Sequence, residues 1–276
     1  KKLAEKTGSN KSNVIHFNQT QSNPMLTMSI PSCKLEDLIV SDEIYDRIIR
    51  ILNEYKNRNK LKNYGMINRR KILIEGKPGT GKTFTASIIA SETGLPLYTV
   101  QMDKLVSKFM GETSVKLRQI FDSVENSTGV YFFDEFDAIG ADRSLDNEVG
   151  EMRRILNSFL QFIEEDSSES IIIAATNNQK LLDKALFRRF DDVLHYTMPT
   201  KKEVERIYIY KLTVYQKNFI PSDKLIEESI LLSHAEIIRV CDDAIKASIL
   251  NDEKITESKL LSLINERLSV YTGKEA

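Results

Sequence analysis

The sequence predicts an α/β fold: a mostly parallel sheet sandwiched by helices, followed by a small C-terminal helical domain. Three observations predict it. Five short apolar runs read as strands: KILIE (Lys71–Glu75), LYTVQ (Leu97–Gln101), GVYFFD (Gly129–Asp134), IIIAAT (Ile171–Thr176) and VLHYT (Val193–Thr197). Each of the first four is separated from the next by a plausible helix, and that alternation produces parallel strands with helices on both faces. After Pro199 the strand signals stop and helical spacing takes over.

Taken in order, residues 1–34 are rich in Asn, Ser, Gln, Thr and Lys and read as a flexible arm or linker. Residues 35–198 form the large α/β domain. Ser41 is placed to cap a helix whose first turn holds Asp42 and Glu43, where carboxylates suit the positive helix end. Ile44, Ile48, Ile49 and Leu52 follow at helical spacing. The basic run Lys56–Asn63 reads as a solvated helix end or loop. The strand runs lack strict alternation, as expected of strands buried on both faces. Residues 199–276 form the helical domain. Thr200 with Glu203, and Ser233 with Glu236, have capping-box spacing. Ile237, Cys241, Ala244, Ile245 and Ile249 make an apolar helical stripe.

Composition narrows the function classes. With 41% hydrophobic and 29% charged residues, the 276-residue chain has enough apolar content for packed domains and is not a disordered tail. A net charge of −1 argues against a generic nucleic-acid coat. No apolar run approaches the roughly 18 residues of a membrane span. No signal-peptide pattern is present, and the cysteine usage reads as that of a cytoplasmic protein. Cys33 and Cys241 are too few for a disulfide framework and read as reduced, buried thiols.

The chemistry is concentrated at strand ends. Gly76-Lys77-Pro78-Gly79-Thr80-Gly81-Lys82-Thr83 follows the first long strand and precedes Phe84 and an apolar helical stretch. It matches G-x-x-x-x-G-K-[ST] in the required strand–loop–helix context. Glycines let the backbone wrap closely around phosphates, and backbone N–H groups with the helix N-terminus face the anion. Lys82 is placed to neutralise the β and γ phosphates of ATP, and the Thr83 hydroxyl to bind Mg²⁺. Asp134-Glu135 ends the strand GVYFFDE. An acidic pair leaving a buried strand is costly without a metal or hydrogen bonds. Asp134 suits direct or indirect Mg²⁺ coordination, and Glu135 suits polarising the attacking water. Asn177 follows IIIAAT. In a parallel sheet, ligands gather at the carboxyl ends of strands, so Asn177 is expected beside the same phosphate.

Together these motifs resemble the AAA+ ATPases, specifically the protein-remodelling members of the AAA clade proper, including its short bacterial forms. GKPGTGKT, FFDEFDAIG and IIIAATN stand in that family's order, and the resemblance runs from about Leu35 through the helical domain. It implies a P-loop NTPase core with a helical lid, ATP and Mg²⁺ as ligands, and assembly into a ring, a hexamer in the family. Leu182–Asp191 (LDKALFRRFD) is similar to the segment whose arginine reaches a neighbouring subunit's ATP. The family's Pro-Gly is missing there, so Arg188 and Arg189 are both candidates, with Arg189 favoured by alignment on Arg-Phe-Asp. Ser107–Glu112 resembles the first pore loop, which implies that Phe109, Met110 and Gly111 grip a polypeptide substrate. Ile39 and Val40 lie where the family borders adenine, and Ala235 falls in its second sensor region.

The resemblance implies an ATP-hydrolysing motor that unfolds, translocates or remodels proteins. The three histidines include no H-E-x-x-H, so any proteolysis would come from a separate partner protease. A nucleic-acid loader or helicase is the alternative, supported only by the basic run Lys56–Lys62 and the basic arm.

Overall fold

A computed structural model describes residues 23–105, 111–136, 146–177 and 187–272. The chain is mixed α/β and divides into two compact units. The first holds residues up to Leu38, Asp46–Glu75 and Lys82–His195; the second holds Ile39–Tyr45, Gly76–Gly81 and the chain from Tyr196 onward.

Among the described residues, six strands form one sheet: β1 (Leu26–Ser29), β2 (Lys71–Gly76), β3 (Leu97–Val100), β4 (Val130–Phe133), β5 (Ile171–Thr176) and β6 (Asp192–Tyr196), in the order β1-β3-β4-β5-β2-β6. The inner pairs are parallel, with Leu73 opposite Ala174, Phe132 opposite Ile173 and Tyr98 opposite Tyr131. The apolar runs are buried as their composition requires: every residue of β4 and β5 is inaccessible, and so are Ile72, Leu73 and Ile74 of β2.

Strand β1 lies inside the stretch that reads as an arm. It pairs antiparallel with β3, Leu26 opposite Val100 and Ser29 opposite Leu97. Its ordering rests on long-range contacts, since Met25 is buried in the same core as Val100, Leu105 and Leu117. A four-residue strand with mixed polarity carries little periodic signal of its own.

Helices of this unit are α1 (Asp42–Lys56), which begins in the second unit, α2 (Arg58–Asn63), α3 (Lys82–Thr93), α4 (Met102–Leu105), α5 (Glu112–Asn126) and α6 (Asp146–Glu165). The core against one face of the sheet is aromatic: Phe121, Phe133, Phe136 and Phe159 are buried together, with ring centroids of 4.3 Å for Phe136–Phe159 and 5.1 Å for Phe133–Phe159. Such tilted and edge-to-face arrangements are favoured by the ring quadrupoles.

The second unit contains α7 (Lys201–Leu212), α8 (Asp223–Ser229), α9 (His234–Asn251) and α10 (Glu257–Thr272). Both capping boxes form, at Thr200–Glu203 and Ser233–Glu236. Ile237, Cys241, Ala244 and Ile245 enter a core with Val204, Ile207, Leu225, Leu260 and Ile264, while Ile249 of the expected stripe is exposed near the end of α9. Both cysteines are buried free thiols. Burial pushes the Cys241 thiol up to about 12, so it stays protonated and unreactive. No helix among the described residues is long and apolar enough to cross a membrane.

Candidate active site

In the sheet unit, four chemistry-bearing residues meet at the carboxyl ends of β4 and β5 and the start of α3. Lys82 is the first residue of α3 and is only 7% exposed. Its ammonium donates to the Asn177 Oδ1 at 2.5 Å, across 95 residues of sequence. The Thr83 hydroxyl donates to Asp134 Oδ2 at 2.9 Å, and the other carboxylate oxygen accepts the Glu135 backbone N–H at 2.9 Å. Both oxygens of Asp134 are thereby oriented before any ligand arrives. Glu135 is exposed and has a φ of +50°, a conformation that costs a non-glycine residue on the order of 1 kcal/mol.

This donor set fits a magnesium nucleotide. Among the described residues no group of three or more His, Cys, Asp or Glu side chains is clustered to hold a metal by itself. A hydroxyl beside one carboxylate is the partial shell that suits Mg²⁺, which keeps waters and takes its remaining ligands from phosphates.

In the helical unit, the stretch Gly76–Gly81 is shaped by close approach. A Cβ on Gly76 would lie 2.6 Å from Tyr196 Cβ and from its carbonyl oxygen. Gly79 has φ +75°, and a Cβ there would strike Ser233 Oγ. The Gly79 carbonyl accepts the Ala235 N–H at 3.0 Å, so the start of α9 is bonded to this loop. Thr80 is buried and donates to the Lys77 carbonyl at 2.8 Å, while Pro78 is exposed and Phe84, in the first turn of α3, is half-buried. Val40 is buried, and Ile39 packs against the helical core.

Arg188 and Arg189 are both exposed on the turn before β6. Arg189 is ion-paired with Glu164 of α6, a contact that sequence spacing does not announce. The turn itself is anchored: Phe190 is buried in the aromatic core, and Asp191 accepts the backbone N–H groups of Arg70 and Lys71, both at 2.9 Å. Phe109 and Met110 lie outside the described residues. Gly111 directly precedes α5 with φ +81°, and no described residue lies within 4 Å of where a Cβ would be.

His234 begins α9, is 7% exposed, and neither ring nitrogen has a hydrogen-bond partner among the described residues. Burial holds its pKa below the usual histidine value, against the opposing pull of Glu203.

A parallel sheet with a Gly-rich loop and Lys-Thr leading into α3, and an acidic residue ending the neighbouring β4, defines a P-loop nucleoside triphosphatase. Residues 72–198 match the family described as ATPase family associated with various cellular activities (AAA). An AAA family ATPase, y4kL, of Sinorhizobium fredii is 36% identical over 83% of this chain and 69% of its own length. The ATP-dependent zinc metalloprotease FtsH of Mycoplasmopsis synoviae is 32% identical over 80% of this chain, which spans 35% of that protein. The proteasome-activating nucleotidase of Sulfurisphaera tokodaii is 33% identical over 79% of this chain and 58% of its own. The chain therefore belongs to the AAA family, in the AAA clade proper of the AAA+ ATPases, and is an ATPase.

Proposed function

We propose that this chain is the motor of a homo-oligomeric ring, a hexamer by family resemblance, that couples ATP hydrolysis to unfolding, translocating or remodelling polypeptides. The observation that carries the catalytic part is the convergence of Lys82 with Asn177 and of Thr83 with Asp134, with Glu135 next in the chain. Lys82 and the backbone of Pro78–Thr83 hold the phosphates, and Thr83 with Asp134 holds Mg²⁺. Glu135 polarises the attacking water, and Asn177 orients it. When ATP enters, its γ-phosphate takes over the Lys82 ammonium, freeing the Asn177 amide for the water. Ile39, Val40, Phe84 and Ala235 border the nucleotide.

Arg188 or Arg189 supplies the positive charge that a neighbouring subunit's transition state needs. Such an arginine is worth about 10³–10⁵ in rate where it acts in trans. Exposure of both side chains on an anchored turn supports this role. The protein-handling reading draws on relatives named as a protease and as a proteasome-activating nucleotidase. This sequence holds no H-E-x-x-H, so a protease partner would be a separate protein or domain. Three of the four basic residues in the run Lys56–Asn63 are paired with carboxylates, Lys56 with Glu92 at 3.8 Å, Arg58 with Glu169 at 3.5 Å and Lys62 with Glu169 at 2.5 Å, which weighs against the nucleic-acid alternative.

The test compares ATP turnover of wild type and Phe109→Ala with and without an unfolded protein. The expected result is stimulation of wild type, and a variant that keeps basal turnover but loses the stimulation. Equal stimulation of both would remove Phe109 from substrate handling.

A further inference from the structure

Glu75 is the last residue of β2 before Gly76, where the phosphate loop begins, and it lies on an inner strand of the sheet. Its side chain is only 4% exposed. A carboxylate that far from water requires hydrogen bonds or an opposite charge. His195 of β6 meets it: Nδ1 of the imidazole is in hydrogen-bond contact with Glu75 Oε1, while the ring itself is 55% exposed. A carboxylate only accepts, so Nδ1 carries the donated proton.

The strands place this contact where it bears on nucleotide binding. β2 and β6 are neighbours in the sheet, and the Glu75–His195 contact sets an offset of 120 residues between them. One residue further it brings Gly76 against Tyr196, whose Cβ and carbonyl leave no room for a side chain. The buried carboxylate is therefore one residue upstream of a loop that must attract three phosphates.

We propose that Glu75 and His195 form a positioning pair for ATP binding. His195 fixes the Glu75 carboxylate within the sheet and draws its charge into a donated hydrogen bond, so that the end of β2 keeps its place and the loop stays attractive to anions. Without the imidazole, the carboxylate loses one of its donors, and it either turns toward water and pulls the strand end with it, or stays and presents more of its negative charge beside the phosphate loop. Charges in such a site are weakly screened. Both outcomes weaken ATP more than AMP. The inference rests on reading Gly76–Thr83 as the phosphate loop, and it adds two residues that touch neither substrate nor metal.

The experiment measures ATP, ADP and AMP affinity together with KM and kcat. The variants are His195→Ala, His195→Asn, Glu75→Gln with His195→Ala, and Lys82→Ala. His195→Asn retains an N–H donor near the Nδ1 position. His195→Ala is expected to raise the ATP KM about tenfold, corresponding to ~1.4 kcal/mol, with kcat at saturating ATP within roughly twofold. The loss should be largest for ATP and smallest for AMP. His195→Asn should recover most of the affinity, and so should the double variant, because it removes the charge that needed the donor. A double variant as weak as His195→Ala would mean that His195 acts by packing alone and would overturn the proposal. An unchanged KM in His195→Ala would overturn it too. Lys82→Ala separates the two levels: if it binds ATP as wild type does, the phosphate-loop reading itself has failed. If it loses ATP while His195→Ala does not, only the positioning pair is wrong.

Discussion

The helix caps of the helical unit and the site-building pairs of the sheet unit differ in how far apart their members lie in sequence. In the helical unit the caps are local: Thr200 with Glu203, Ser222 with the Leu225 N–H, and Ser233 with Glu236, each three residues apart. In the sheet unit the decisive pairs are remote: Thr83–Asp134 spans 51 residues, Lys82–Asn177 95, Arg70–Asp166 96 and Glu75–His195 120. Local pairs start and stop helices. Remote pairs exist only when the whole sheet has formed, so they couple folding to the assembly of the site. The sheet unit also differs within itself. Arg70 and Asp166 are closed on each other at the amino end of the strands, with Asp166 1% exposed. Thr83 and Glu135 at the carboxyl end are exposed and open to a ligand.

Substitutions can break this contrast in order of size. Glu135→Gln should keep ATP binding and lose phosphate release by about a thousandfold or more, equivalent to ~4 kcal/mol of barrier, while thermal unfolding stays near wild type. Normal phosphate release would remove Glu135 from catalysis. Asp166→Ala should do the reverse. Breaking a buried ion pair by deleting one partner costs about 3–5 kcal/mol of stability, visible as a lowered denaturation midpoint, with turnover per folded molecule largely kept. Thr200→Ala in the helical unit removes one side of a capping box and should cost only about 1 kcal/mol, measurable by chemical denaturation.

The smallest expected effect is a pH dependence. Burial lowers the His234 pKa in the folded chain, so the unfolded state takes up a proton more readily. The stability tied to neutral His234 is fully present above its unfolded pKa of about 6.5. It declines as pH falls from there toward the lowered folded value. His234→Gln should flatten that slope in denaturation curves recorded between about pH 5 and 7.5. An identical slope in the variant would assign it to other groups.

The same local-versus-remote division explains what was legible in the sequence. The five apolar runs became β2 to β6 with ends shifted by a residue or so, because burial on both faces leaves its mark in each strand separately. The capping boxes and the Gly-rich loop were legible for the same reason, since their parts are contiguous. Strand β1 was not, because Leu26–Ser29 is ordered by pairing with β3 some 70 residues away. Glu75 with His195 and Glu164 with Arg189 were invisible without strand and helix register. Asp134, Lys82 and Asn177 were legible as motifs that an expected parallel sheet gathers around one phosphate, but the direct Lys82–Asn177 and Thr83–Asp134 hydrogen bonds were not.

The most direct test of the account uses two inactive variants. One carries Glu135→Gln, and the other carries Arg188→Ala and Arg189→Ala together. Each alone should release almost no phosphate. Mixed in equal amounts, they should form sites in which one subunit supplies Glu135 and its neighbour the arginines, and turnover should reappear. A mixture no more active than its components would contradict an arginine acting between subunits, and with it the ring mechanism proposed for this chain.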